Sequence, residues 1–168
     1  MYRSVRFRFT LAVAAAVSIM APAVHAGGGV AVELTAHRIT KSQGREVLSS
    51  AAQAHPGETL EYRATYRNEG ATEARGLAAT LPIPLGTAYV PGSASPGRAE
   101  ASLDGRTFAA IPLMRSVRTA DGRTVVREVP ASEYRALRWP LGALPRKQSR
   151  AVTARVRIQP TEVAALTR

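Results

Sequence analysis

The run Leu60-Glu61-Tyr62-Arg63-Ala64-Thr65-Tyr66-Arg67 alternates without a break. Leu60, Tyr62, Ala64 and Tyr66 fall on one side, and Glu61, Arg63, Thr65 and Arg67 on the other. Successive side chains of an extended strand point to opposite faces, so this run has one buried face and one wet face. Half-burial of that kind belongs to an antiparallel sheet. Ala151 to Ile158 repeats the pattern, with Val152, Ala154, Val156 and Ile158 against Thr153, Arg155 and Arg157. Upstream, Val30, Val32, Leu34 and Ala36 alternate with Ala31, Glu33, Thr35 and His37.

Shorter extended runs lie between these three: Gly76 to Leu81, Thr87 to Pro91, Arg98 to Leu103, Ile111 to Val117, Thr124 to Val129 and Tyr134 to Trp139. Turn chemistry separates them. Pro56-Gly57, Asn68-Glu69-Gly70, Pro91-Gly92 and Pro96-Gly97 mark loops. Asp104-Gly105 and Asp121-Gly122 are hairpin-type pairs, because both residue types tolerate the positive φ of a tight turn. Many short strands with frequent turns predict an all-β fold, an immunoglobulin-like antiparallel β-sandwich, with a barrel as the next choice. Only Ser42 to Gln53 and Thr161 to Thr167 could hold a turn or two of helix. Trp139, the single tryptophan, is expected at the core with Leu60, Tyr62, Tyr66, Val152, Val156 and Ile158. Pro140 follows it and should end or edge its strand, having no amide proton to give.

These residues resemble a bacterial repeat family, domain of unknown function 11. The first block is Pro56, Gly57, Glu58, Leu60, Tyr62, Asn68, Gly70, Leu81, Pro82, Tyr89, Val90, Gly92, Ser93 and Ala94. The closing block is Trp139, Leu141, Leu144, Pro145 and the alternation from Val152 to Ile158. The likeness spans Glu46 to Ile158. It departs at Ala79-Thr80, where the family often has Asp, and at Arg146, where it usually has Gly. The resemblance implies an immunoglobulin-like sandwich, here in one copy, in a secreted or surface protein. It is carried by structural residues and implies no activity.

The N-terminus reads as an address. Arg3, Arg6 and Arg8 precede an apolar run from Phe9 to Met20, and Pro22 ends it. Val24 and Ala26 are the small residues that a signal peptidase accepts three and one positions before its cut, here ahead of Gly27. The apolar run is short for a membrane span. The chain therefore divides into a signal peptide (1–26), an N-terminal strand region (27–45), the β-sandwich domain (46–160) and a tail (161–168). Losing three arginines lowers the formal net charge from +11 to +8. That excess favours anionic neighbours such as lipopolysaccharide or an acidic envelope glycan. An exported protein meets little nucleic acid, and no aromatic-rich basic motif is present.

The residues for chemistry are few. There is no Cys among 168 residues, which removes thiolate metal sites and a Cys nucleophile. His37 sits on an alternating run and reads as an outward strand residue; His55 precedes Pro-Gly and reads as a turn residue. No Gly-x-Ser-x-Gly elbow occurs. Glu58, Glu61, Glu69 and Glu73 are interleaved with bases and read as a solvated face rather than an acid pair. Neither a cofactor nor a metal is expected. Arg63, Arg67, Arg155 and Arg157 fall on polar strand faces and would build an anion-binding stripe if their strands were neighbours. The competing expectation is local pairing with those glutamates. The sequence thus points to an exported, periplasmic or extracellular, non-catalytic envelope protein. Its partners would be an envelope protein or an acidic glycan. A chaperone or assembly subunit acting by strand addition would use the same fold.

Overall fold

A computed structural model describes residues 29–52 and 54–160 of the chain. The expected signal peptide and the tail lie outside the described residues. The fold is all-β with antiparallel pairing throughout. The strands are β1 (Val30–Ser42), β2 (Arg45–Ser50), β3 (Thr59–Asn68), β4 (Ala74–Pro82), β5 (Thr87–Tyr89), β6 (Glu100–Ser102), β7 (Ala109–Ala110), β8 (Met114–Arg118), β9 (Thr124–Glu128), β10 (Ala136–Leu144) and β11 (Ser149–Ile158). One sheet runs β2-β1-β3-β11-β5, a second β4-β10-β6-β7, and β8 and β9 form a separate two-stranded ribbon.

The alternation explains the arrangement. β3 buries Leu60, Tyr62, Ala64 and Tyr66, and β11 buries Val152, Ala154 and Val156. From the other sheet, Ala79, Leu81, Ala101, Leu137, Trp139 and Leu144 join the same cluster. The two sheets thus enclose one core in a β-sandwich-like arrangement. Trp139 is 2% exposed, and its indole Nε1 donates to the Pro96 carbonyl at 2.7 Å. The Tyr66 hydroxyl ties the sheets together: it accepts from the Thr80 amide at 3.0 Å and donates to the Thr80 carbonyl at 3.3 Å. Ile158, expected in the core, is only partly buried against it.

Three expectations are corrected. Ser42 to Ser50 holds no helical turn: β1 turns directly into β2, with Ser42 opposite Arg45. The two connecting residues, Gln43 and Gly44, both have positive φ (51° and 77°), as a two-residue hairpin turn requires. The run Ile111 to Val117 is not one strand; Pro112 separates β7 from β8. Of the two readings of Pro140, the strand end is not found, since β10 continues to Leu144 against β4, while the open edge is. The Ile83 amide bonds the Arg135 carbonyl, so by alternation Trp139 turns its backbone toward β4 and Pro140 turns away. β6 pairs only with Ala136 to Arg138, so Pro140 stands where the strand has lost that neighbour and needs no donor. The ladder with β4 then shifts register between Pro140 and Gly142.

Asp104 organises the β6–β7 connection. Its Oδ1 accepts from the amides of Arg106 and Thr107 and from the Ser102 hydroxyl, each at 2.8 Å. Those donors, the Thr107 amide foremost, hold its carboxyl well below the usual carboxylate range. A depressed folded pKa adds stability above the unfolded pKa, and that stability is lost as pH falls through the folded one. Asp104→Asn is therefore expected to melt below the parent at neutral pH, with the gap narrowing under strong acid. Thermal melts of both proteins from pH 7 downward check this; a gap independent of pH contradicts it.

Candidate functional site

The four arginines singled out from sequence do lie on adjacent strands. Arg63 and Arg67 stand on the outer face of β3, and Arg155 and Arg157 on the outer face of β11, which pairs with β3 along its length. The register separates them: Arg67 is opposite Ser149, Arg63 opposite Thr153, Arg155 opposite Glu61 and Arg157 opposite Thr59. Acids are interleaved. Arg155 donates two hydrogen bonds to Glu46, at 3.0 and 2.7 Å, and lies 3.5 Å from Glu61. The Arg155 guanidinium holds the Glu46 carboxyl below its usual range. Glu46 comes within reach because the β1–β2 hairpin overshoots β3, whose pairing with β1 stops at Ile39. Arg63 lies 3.8 Å from Glu61 and Arg67 3.9 Å from Glu69, loose contacts between solvated groups. Glu58 and Glu73 pair instead with Arg38 and Arg75. Among the described residues Arg157 has no ion pair. This face is a mosaic of charges, with Arg155 already committed to two carboxylates.

His37 lies on the same outer face, opposite Glu61 on one side and Ser50 on the other. His55 lies in the turn before β3, where its amide donates to Glu58 Oε2 at 2.8 Å. Both stand where the alternation and the Pro-Gly signal put them. No group of three or more His, Asp or Glu among the described residues could hold a metal ion.

A different feature was not foreseen. Past Arg138, β10 has lost β6; before Thr153, where Ser95 makes an isolated bridge, β11 has no described strand beside it other than β3. The two uncovered stretches leave an open cleft of about 710 Å³, lined by Pro96, Gly97, Arg98, Trp139, Pro140, Leu141, Arg150 and Ala151. Its floor is apolar, and none of the described residues that line it is acidic. Arg150 reaches across the seam and donates to the Leu141 carbonyl. Arg98 is exposed at the rim and forms no ion pair among the described residues. The backbone contributes as well. Thr153 exchanges both backbone hydrogen bonds with Ser95, so by alternation the amide and carbonyl of Ala151 point the same way, into the cleft. The arrangement offers two guanidinium groups and a free amide beside a nonpolar floor. Such a surface can hold a carboxylate or phosphate attached to a partly apolar body.

The sequence signal for this cleft was faint. Pro96-Gly97 and Pro140 were visible as a loop and a strand edge, but only the pairing shows that the two gaps coincide. Comparison with protein-family models, curated proteins and solved structures gives no match to this chain. No described helix is long and apolar enough to cross a membrane.

Proposed function

We propose that this chain is an exported, non-catalytic envelope protein with an immunoglobulin-like sandwich related to domain of unknown function 11, and that it recognises an acidic envelope glycan. The observation that carries the reading is the seam cleft, with Arg98 and Arg150 over an apolar floor and no acid among the described residues that line it. A glycan suits it because a sugar ring offers both nonpolar C–H faces and, when acidic, a carboxylate or phosphate for a guanidinium fork. The net charge of +11 for the whole chain, +8 once the three arginines of the expected leader are removed, draws such polymers to the surface at long range. The cleft supplies the local contacts that a mosaic face lacks.

Binding of a uronic-acid oligosaccharide is expected to fall steeply as ionic strength rises past ~0.1 M. Arg98→Glu should weaken it by roughly tenfold or more, the scale of one lost charge-assisted hydrogen bond plus repulsion. Arg63→Glu should have little effect. Calorimetric titration at several salt concentrations checks this; binding that ignores salt, or loss at Arg63 rather than Arg98, contradicts the reading. The alternative of strand addition is favoured by one observation. β2 is an outer edge strand of its sheet with Val47 and Leu48 exposed. A peptide taken up at β2 would be indifferent to Arg98.

A further inference from the structure

The β8–β9 ribbon stands apart from both sheets: its strands pair with each other and with no other described strand. Its base is firmly rooted. Leu113 and Val129, just before β8 and just after β9, are buried; the Val129 amide donates to the Leu113 carbonyl at 2.8 Å, and the Leu113 amide donates to the Tyr134 hydroxyl at 3.1 Å. Arg115 is clasped by both carboxylate oxygens of Glu133, at 2.9 and 3.1 Å. Beyond the base the ribbon is bare. Met114 is 57% exposed and Val126 64%. An isolated two-stranded ribbon is at best marginally stable in water, and an uncovered edge strand is a template for pairing.

The free edge can be read from the register. The Thr119 amide bonds the Arg123 carbonyl and the Val129 amide bonds the Leu113 carbonyl. By alternation, Val125 and Arg127 turn their backbones toward β8, while Thr124, Val126 and Glu128 turn theirs outward. The outward edge of β9 thus presents three amides and three carbonyls centred on Val126. That sequence is complementary to itself. An antiparallel pairing of two β9 strands about a two-fold at Val126 sets Val126 against its own copy. It also sets Glu128 opposite the partner's Thr124 and, one strand further along the same face, in line with the partner's Arg118, which is opposite Thr124 in the register. On the reverse face Arg127 lies opposite the partner's Val125 and diagonal to the partner's Arg127, a like-charge contact that the paired edge must outweigh. The outer edge of β8 offers less: it is centred on Ser116, carries Arg115 and Arg118, and has no acid.

We propose that β9 is a homotypic docking edge, through which two copies of this chain join their ribbons into one four-stranded antiparallel sheet. A two-fold contact of this kind is isologous and closes at the dimer. The interface is small, so the dimer is concentration-dependent.

Sedimentation equilibrium of the purified chain over a wide concentration range tests the proposal. A monomer–dimer equilibrium is expected. Val126→Pro removes an outward donor without touching the β8–β9 ladder; it should leave a monomer whose thermal melt matches the parent. Glu128→Arg should weaken dimerisation several-fold, and Glu128→Arg combined with Arg118→Glu should restore it. The chain has no cysteine, so Val126→Cys reports the contact directly. Residues facing each other in a hydrogen-bonded pair lie ~5.5 Å apart at Cα, within disulfide range. Mild oxidation should cross-link Val126→Cys and not Ser116→Cys. A monomer at every concentration, a dimer that survives Val126→Pro, or cross-linking at Ser116→Cys instead would overturn it.

Discussion

Trp139→Ala is expected to destabilise the protein by about 3–5 kcal/mol and to lower its melting temperature by roughly 10–15 °C. Two losses combine. The indole is fully packed between the sheets, so its removal leaves a cavity that neighbouring strands can only partly close. Its Nε1 also holds the Pro96 carbonyl at 2.7 Å, and that loop forms one wall of the seam cleft. Trp139→Phe separates the contributions. It keeps most of the apolar volume and loses the hydrogen bond, so it should cost markedly less. It should still weaken ligand binding, because the Pro96 loop is no longer pinned. Denaturant unfolding of the three proteins checks the order; equal stability of parent and Trp139→Ala would contradict a core built on this residue.

Asn68→Ala should cost about 2–4 kcal/mol, a large effect for a small side chain. Asn68 closes β3 and is wholly buried. Its Nδ2 donates to the carbonyls of Thr72 and Leu144, both at 2.8 Å, and its Oδ1 accepts from the Gly70 amide at 3.0 Å. Its own backbone is bonded to Gln148 and Lys147. One side chain therefore joins the β3–β4 turn to the end of β10, in the opposite sheet. Leu144 is 0% exposed, so its carbonyl would be left with no water to replace the lost donor. Asn68→Asp should be worse at neutral pH, since a carboxylate would face two carbonyls. Burial there raises the carboxyl pKa, so the penalty grows as pH rises through the unfolded value and fades in acid. Unfolding free energies of both variants at neutral and acidic pH check this. A harmless Asn68→Ala, or an Asn68→Asp penalty that does not change with pH, contradicts it.

Asn68 also shows how far the sequence could be read. Asn68-Glu69-Gly70 announces a turn, and a turn is there. The long-range bond to Leu144 depends on two sheets meeting, which no local pattern encodes. The long strands were legible because period-two alternation over eight or more residues is strong. β3 and β11 follow it closely, and their buried set is the one the alternation marks; β1 forms as read, but only Val30 of it is buried, with Val32, Leu34 and Ala36 partly covered. β2 was not legible. Its turn uses Gln43 where Asn or Asp usually signals positive φ, and its overshoot leaves Val47 and Leu48 exposed on a strand without clean alternation. The break at Pro112 was visible as a residue but masked by apolar neighbours on both sides.

The candidate site was legible only in part. Alternation placed Arg63, Arg67, Arg155 and Arg157 on the polar faces of their strands; only the pairing of β3 with β11 puts them on one sheet face. It could not show that Glu46 arrives from a distant hairpin to take Arg155, because that depends on how far β1 overshoots β3. The seam cleft arises from two short strands, β5 and β6, that stop before their neighbours do. Strand length is set by pairing, and pairing is a property of the folded chain.

On the proposed reading, the seam beside Trp139 is where this protein meets an acidic ligand. The single tryptophan gives that site a unique reporter, its indole N–H resonance. Titration with a uronic-acid oligosaccharide should shift that resonance together with the amides of Arg98 and Ala151. Salt should reverse the shifts, and a neutral glucan of the same length should leave them still. Shifts confined to the outer face around Arg63 and Arg67, or a silent indole at saturation, would contradict the account.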